Sequence, residues 1–236
     1  MIKLLVTPTD ERDALVAVEA GADIIDVKNP SEGSLGAALP SLIKRIRETI
    51  PPEIPVSAAV GDVPYLPGTV AQAALGAAVS GADYVKIGLH GPKDSSEAVT
   101  VMRSVCSTLN EFHPNVRVVA CAYGDYERAG TLNPTLLPHV ALESGASVMM
   151  LDTAVKDGRS LFEFQSEANI KKLIDQANEH GIEFALAGSL SGDSFRRAIN
   201  LRPHTVGVRG AALRENDRRD GRVDGELVAA LKSLLA

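Results

Sequence analysis

Eight short apolar runs, separated by segments of helical periodicity, constrain this chain more than any other feature. The runs are Ile2–Val6, Asp23–Val27, Val56–Val60, Tyr84–Ile87, Val116–Cys121, Val148–Leu151, Ile182–Ala187 and Thr205–Val208. Between them, apolar residues recur at three- and four-residue spacing, as in Glu11–Ala20, Leu42–Ile50, Val70–Ser80, Ala98–Phe112 and Ile170–His180, and a last such stretch, Gly225–Leu235, ends the chain. Runs too short for helices, alternating with helices, predict a parallel sheet covered on its faces by helices. Gly21-Ala22-Asp23, Gly81-Ala82-Asp83 and Gly145-Ala146-Ser147 each close a helix and open a strand, with glycine at the left-handed cap. A dinucleotide-binding sheet would need GxGxxG after the first strand, where this chain has Thr7-Pro8-Thr9-Asp10. Eight regular units in 236 residues therefore predict one (β/α)8 barrel domain over residues 1–236.

Charge and cysteine content narrow the partners. With 24 basic and 30 acidic residues and a formal charge of −6, the chain lacks the electrostatic footprint of a nucleic-acid binder. The arginine cluster Arg214 to Arg222 is interleaved with Glu215, Asp217 and Asp220 and reads as a charge-balanced, solvated segment. Two cysteines, Cys106 and Cys121, have neither metal-site nor disulfide-framework spacing. No HExxH-like pattern and no run of ~20 apolar residues occurs, so neither a metal nor a membrane is expected. The expectation is a cytoplasmic protein without cofactor, and a homo-oligomer, as barrels of this size often are.

Barrel enzymes place their chemistry at the carboxyl ends of the strands. Strand alternation then selects the inward side chains. In IIDVKN, Ile25 and Val27 suit the helix-facing side, which leaves Asp26 and Lys28 inward. In ADYVKIG, Tyr84 and Lys86 point inward; in SVMMLDTAVK, Asp152 ends the strand inward and Lys156 follows four residues on. Three lysines and two aspartates at one mouth suit carbonyl chemistry, because an ammonium crowded by other cations loses its proton readily and becomes a nucleophile. The plainer reading is that a lysine at a strand end is solvated, which fits Lys86, flanked by Val85 and Ile87, least. For Lys86 the plain alternative is that Asp26 and Asp152 are its structural ion-pair partners, with no chemistry.

The loop after the seventh strand reads Ala187-Gly188-Ser189-Leu190-Ser191-Gly192, and the eighth strand runs into Gly207-Val208-Arg209-Gly210. Loops at these two places often bind phosphate through backbone N–H groups, which makes Gly188, Ser189, Arg209 and Gly210 candidates for holding a small phosphorylated substrate. Tight turns alone would also explain the glycines. The segment 29–36, NPSEGSLG, follows Lys28 and suits either a cover for the site or a second phosphate loop. His90 is placed near the mouth, whereas His113, His139, His180 and His204 read as surface residues.

The strings LLVTPTDERDALVAVEAGADIIDVKNPSEGSLGA, GADYVKIGL and MLDTAVKDGRSLF, with the AGSL and VGVRGAA segments, resemble the (5-formylfuran-3-yl)methyl phosphate synthase family over essentially the whole chain. The resemblance implies a barrel enzyme that condenses two molecules of glyceraldehyde 3-phosphate, with loss of phosphate and water, to the furan precursor of methanofuran. It also implies a Schiff-base lysine at Lys28, a proton-transfer lysine at Lys86, and further site residues at Asp152 and Lys156. Two readings compete with it: a class I aldolase-type barrel acting on another small phosphorylated aldehyde or ketone, and a non-catalytic sugar-phosphate-binding barrel.

Overall fold

The eight apolar runs pair side by side in chain order in the computed structural model, which describes residues 1–214 and 221–235. The strands are β1 (Lys3–Val6), β2 (Ile24–Val27), β3 (Val56–Ala59), β4 (Tyr84–Gly88), β5 (Arg117–Tyr123), β6 (Val148–Asp152), β7 (Glu183–Leu186) and β8 (Thr205–Val208). All neighbours are parallel, and β8 returns to pair with β1, so the sheet closes into a barrel. The helices are α1 (Glu11–Glu19), α2 (Pro40–Thr49), α3 (Pro67–Val79), α4 (Ser95–Phe112), α5 (Tyr126–Ala129), α6 (Leu137–Ser144), α7 (Glu167–Glu179), α8 (Gly192–Asn200) and α9 (Gly225–Ser233). The short α5, α6 and α8 were not among the stretches picked out by periodicity; prolines and serines in and around them dilute the apolar spacing. Most of the arginine cluster, residues 215–220, lies outside the described residues.

Strand alternation divides the apolar side chains into two cores. Val6, Ile25, Val27, Val85, Ile87, Met149 and Leu151 pack outward against the helices. Ala59, Val119, Cys121, Tyr123, Val148, Met150, Ala185 and Ala187 fill a smaller inner core, with Tyr84 half-buried against it. At the amino-terminal end of the barrel, Arg117 spans Glu183 at 2.8 Å and the Tyr84 hydroxyl at 3.2 Å, so polar groups close that end.

The glycine-led echoes serve the expected purpose. Gly21, Gly81 and Gly145 have φ of +97°, +101° and +79°, a region that costs residues with a Cβ about 1–2 kcal/mol. The aspartate that follows two of them has its own task. Asp23 Oδ2 accepts from the Leu4 N–H at 2.7 Å, and Asp83 Oδ2 from the Val56 N–H at 2.8 Å, tying each strand start to its neighbour. His204, expected at the surface, is half-buried; its Nδ1 accepts from the Phe184 N–H at 3.1 Å.

Candidate active site

Of the residues that strand parity selects, Asp26, Lys28, Lys86 and Asp152 gather toward the carboxyl end of the barrel, whereas Tyr84 lies at the opposite end. Asp26 is fully buried on β2 and binds three groups at once. Its Oδ1 lies 2.5 Å from Lys86 Nζ, and its Oδ2 accepts from the Thr7 hydroxyl at 3.0 Å and lies 3.8 Å from Lys28 Nζ. Burial by itself would raise the Asp26 carboxyl, but the Lys86 and Lys28 ammonium groups outweigh it and hold the carboxyl below its ordinary value.

Across the barrel, Asp152 ends β6. Its Oδ1 accepts from the Thr153 N–H at 2.7 Å and pairs with the Lys156 ammonium, which also donates to the Thr153 hydroxyl at 3.1 Å. Lys28 stands within the field of both aspartates. Burial and then the Lys86 ammonium lower the Lys28 amine to about 7, against the opposing pull of Asp26 and Asp152. Near neutral pH a large fraction of that amine is therefore uncharged and has a free electron pair.

A cavity of ≈ 600 Å³ opens beside Lys28. It is lined in turn by Asp152 and Lys156 at and beyond the end of β6, Gly188 and Ser189 after β7, Arg209 and Gly210 after β8, Thr7 after β1, and Asp26 on β2 with Lys28 just beyond it. The two constellations that the sequence presents separately thus face one space. Lys86 does not reach the cavity wall; it sits behind Asp26 at 1% exposure.

The part of the lining that follows β7 and β8 has features that favour an anion. Gly188 has φ +110°, Ser189 has φ +51°, and Ser191 caps the helix α8 that starts at Gly192. Backbone N–H groups at such a turn and helix start favour an oxyanion. A Cβ at Gly188 would stand 3.0 Å from Leu161 Cβ and 3.1 Å from Thr153 Cγ2, and at φ +110° any side chain is strained, so glycine is strongly favoured there. Arg209 is buried, and its guanidinium donates to the Thr7 carbonyl at 2.8 Å. It therefore ties the ends of β8 and β1 together as well as lining the cavity. Thr153 N–H and side chain, Thr7 and Asp125 complete the surroundings; Asp125 accepts from the Ala154 and Val155 N–H groups at 2.7 and 3.0 Å and so fixes the chain beyond Asp152.

Segment 29–36 lies over the other half of the mouth. Leu35 is fully buried in the inner core beside Ala59, Cys121 and Tyr123, so this loop plugs the β3–β5 side and leaves the cavity on the β6–β8 and β1–β2 side. Beneath it, the Tyr123 hydroxyl donates to Asp62, a pair that sequence reasoning missed. The signal was present for Tyr123, which shares inward parity with Val119 and Cys121. His90 is exposed and meets the Tyr123 ring edge-on at 6.1 Å, away from the cavity wall.

Cys121 is buried in the inner core, and burial, followed by the charge of Asp152, pushes its thiol well above the ordinary range. Among the described residues, no group of three or more His, Cys, Asp or Glu side chains is placed to hold a metal ion. Nor is any helix among them long and apolar enough to cross a membrane.

Comparison with known proteins bears on this arrangement. The barrel is similar to the crystal structure of KGPDC from Streptococcus mutans, with TM-score 0.67 over 100% of this chain and 97% of that one, at 16% identity. It is similar also to 3-hexulose-6-phosphate synthase from Salmonella typhimurium, with TM-score 0.67 over 100% of both chains at 18% identity. At such identities the likeness concerns the fold. Sequence relatives are much nearer: (5-formylfuran-3-yl)methyl phosphate synthase of Methanopyrus kandleri is 51% identical over 234 residues, 99% of each chain. The protein of the same name from Methanocaldococcus jannaschii is 49% identical over 231 residues, 98% of each chain. The model of the 4-HFC-P synthase family matches residues 4–232, which takes in every strand but the first residue of β1 and every one of the site residues named above. A barrel with this site, matched end to end at about half identity, belongs to the 4-HFC-P synthase family.

Proposed function

We propose that the protein condenses two molecules of glyceraldehyde 3-phosphate, through an imine on Lys28, to (5-formylfuran-3-yl)methyl phosphate, the furan precursor of methanofuran. The observation that carries this reading is the Lys28 amine, lowered to about 7 and opening on a cavity whose lining after β7 and β8 suits a phosphate. The name of the full-length relatives supplies the product.

The chemistry follows from those groups. The uncharged Lys28 amine adds to the aldehyde carbon of one triose phosphate, and loss of water gives an imine. The electron pair of the neighbouring C–H bond can then delocalise onto the imine nitrogen, so that proton becomes removable. Asp152, backed by Lys156, faces the cavity and moves protons there, while Lys86, behind Asp26, acts on the cavity only through that carboxylate. The resulting enamine expels phosphate from C3, and the enol left behind is nucleophilic at that carbon; it adds to C2 of the second triose phosphate, first converted to its keto isomer by proton transfer. The C1 hydroxyl of that second unit closes on C2 of the first, and loss of two waters yields the furan aldehyde. Six carbons and one phosphoryl group are retained, while one phosphate and two waters depart, so no oxidant or reductant is required. Aromaticity drives the last steps, and the barrel's task is to hold the intermediates and limit side reactions. Backbone N–H groups at Gly188, Ser189 and Gly210, with Arg209, hold the substrate phosphate.

Incubation with glyceraldehyde 3-phosphate alone tests this reading. It requires a furan-type ultraviolet absorbance, release of inorganic phosphate, and borohydride-dependent mass addition that peptide mapping assigns to Lys28. An aldolase acting on other carbonyl pairs would give the Lys28 adduct without the furan. A sugar-phosphate-binding barrel would give neither.

A further inference from the structure

The segment between Lys28 and α2 is held by one carboxylate outside the lysine cluster. Asp62, on the loop after β3, accepts from the Leu35 N–H at 3.0 Å through Oδ2 and from the Tyr123 hydroxyl through Oδ1. The backbone adds a matching bond next door, from the Gly61 N–H to the Leu35 carbonyl at 3.0 Å. The loop also closes on itself, with the Asn29 N–H bonded to the Gly36 carbonyl at 2.9 Å. The fit around this grip leaves no slack. A Cβ at Gly88 would lie 2.4 Å from the Tyr123 hydroxyl and 2.5 Å from Asp62 Oδ1; one at Gly33 would lie 2.9 Å from Asp62 Oδ2.

Two consequences reach the reacting groups. With Leu35 seated, the Ser34 hydroxyl donates to the Thr153 carbonyl at 2.8 Å and lies 3.4 Å from Asp152 Oδ2. Leu35 itself, 3.3 Å from where a Gly88 Cβ would stand, caps the end of β4, the strand that carries Lys86. The strap therefore shuts water out on the side of the cluster away from the cavity.

We propose that Asp62 is a positioning residue for the chemistry at Lys28: by gripping the strap 29–36 through Leu35, with Tyr123 behind it, it sets Ser34 against Asp152 and keeps the ammonium cluster dry. The inference rests on Lys28 being the reacting amine. The charged groups around Lys28 are Asp26 from β2, Lys86 from β4, Asp152 and Lys156 from β6 and the loop beyond it, and, on the same cavity, Asp157 from that loop and Arg209 from the end of β8. Asp62 is not among the leading influences on the Lys28 amine, and losing its negative charge would by itself lower that amine rather than raise it. A rise at Lys28 must then come through the strap.

The test measures the titration midpoint of the Lys28 amine by pH-dependent acetylation with acetic anhydride and peptide mass mapping, a readout that does not depend on turnover. Asp62→Ala should raise that midpoint by about one pH unit or more, toward the ~10.4 of a solvated lysine. Amide exchange at Leu35 and Asn29 should accelerate at least about tenfold, with strand amides unchanged. Turnover of glyceraldehyde 3-phosphate should fall roughly tenfold or more, while KM stays within about twofold, because the cavity wall around Gly188 is untouched. Asp62→Asn, which keeps an oxygen for the Leu35 N–H, should restore most of each property. Ser34→Ala should lower turnover and leave the midpoint in place.

A folded Asp62→Ala protein with the wild-type midpoint and turnover overturns the proposal. If that variant does not fold, Tyr123→Phe, which removes a single hydroxyl from behind Asp62, decides: the midpoint should rise there too, and an unchanged midpoint overturns the proposal equally. A wild-type protein that shows the lowered midpoint but forms no borohydride-trapped adduct would defeat the Schiff-base reading, while leaving the strap's effect on the amine measurable.

Discussion

Lys86 Nζ lies 2.5 Å from Asp26 Oδ1, with both side chains at 1% exposure, and this buried pair stands directly behind the lysine that faces the cavity. Its net contribution to folding is small, since taking both charges out of water costs about as much as their attraction returns. Its effect on Lys28 is the larger one. Lys86 adds a second positive charge near an amine already short of water, while Asp26 is shared between them. A single carboxylate serving two ammonium groups leaves one proton easily lost.

Lys28→Met should end borohydride trapping and furan formation, and it should also stabilise the fold. The folded-state value of about 7 lies below the ~10.4 of an unfolded lysine, so the unfolded chain binds more protons between those two values. Wild-type stability therefore rises with pH across that window and is lowest below about pH 7. The variant should exceed wild type by on the order of 5 kcal/mol below about pH 7, with the gain fading as the pH approaches ~10. Thermal melts across that range check it; equal stability at all pH values would contradict the lowered amine.

Lys86→Met leaves Asp26 with the Thr7 hydroxyl and, as its nearest ammonium, the more distant Lys28 at 3.8 Å. Burial, the largest influence on that carboxyl, then dominates and drives it up. The variant should lose about 3 kcal/mol in denaturant titration. The Lys28 midpoint should rise by one pH unit or more, because a neighbouring like charge is gone and Asp26 is free to pair with Lys28. Imine formation should survive at elevated pH.

Asp152→Asn keeps the shape of the β6 end but withdraws the carboxylate that pairs with Lys156. Furan formation should fall by roughly a hundredfold or more, the scale of a lost proton-transfer group, while the borohydride-trapped Lys28 adduct persists. The Lys28 midpoint should move slightly downward, since Asp152 is one of the groups holding the proton on. Loss of the adduct together with turnover would place Asp152 in imine formation instead.

Arg209→Ala should raise the apparent KM for triose phosphate several-fold and lower kcat less, if the guanidinium acts on the bound phosphate. Since Arg209 also donates to the Thr7 carbonyl at 2.8 Å, the variant should lose about 1–2 kcal/mol of stability as well. An Arg209→Lys protein should recover stability only in part, because an ammonium cannot reproduce the planar fork.

The alternation of residues in the strands made much of this molecule legible in advance. Ile25 and Val27 could only face the helices, so Asp26 and Lys28 had to face inward, and the same parity placed Lys86 and Asp152. Eight apolar runs of strand length with no fingerprint for a nucleotide sheet led to the barrel, because parallel strands joined by helices have few other ways to bury both faces. The glycines at 21, 81 and 145 announced their left-handed caps for a local reason of the same kind. What needed the folded chain was everything that depends on residues far apart in sequence sharing a place. That Asp62 grips Leu35 and Tyr123, that Ser34 reaches Asp152 across 118 positions, and that Arg209 spans to Thr7 follow from how the barrel closes and which loop plugs it, and no periodicity records those distances. The lowered amine of Lys28 belongs to that second class. It arises from burial and from charges on other strands, so it exists only once tertiary structure has excluded water and set the lysines side by side.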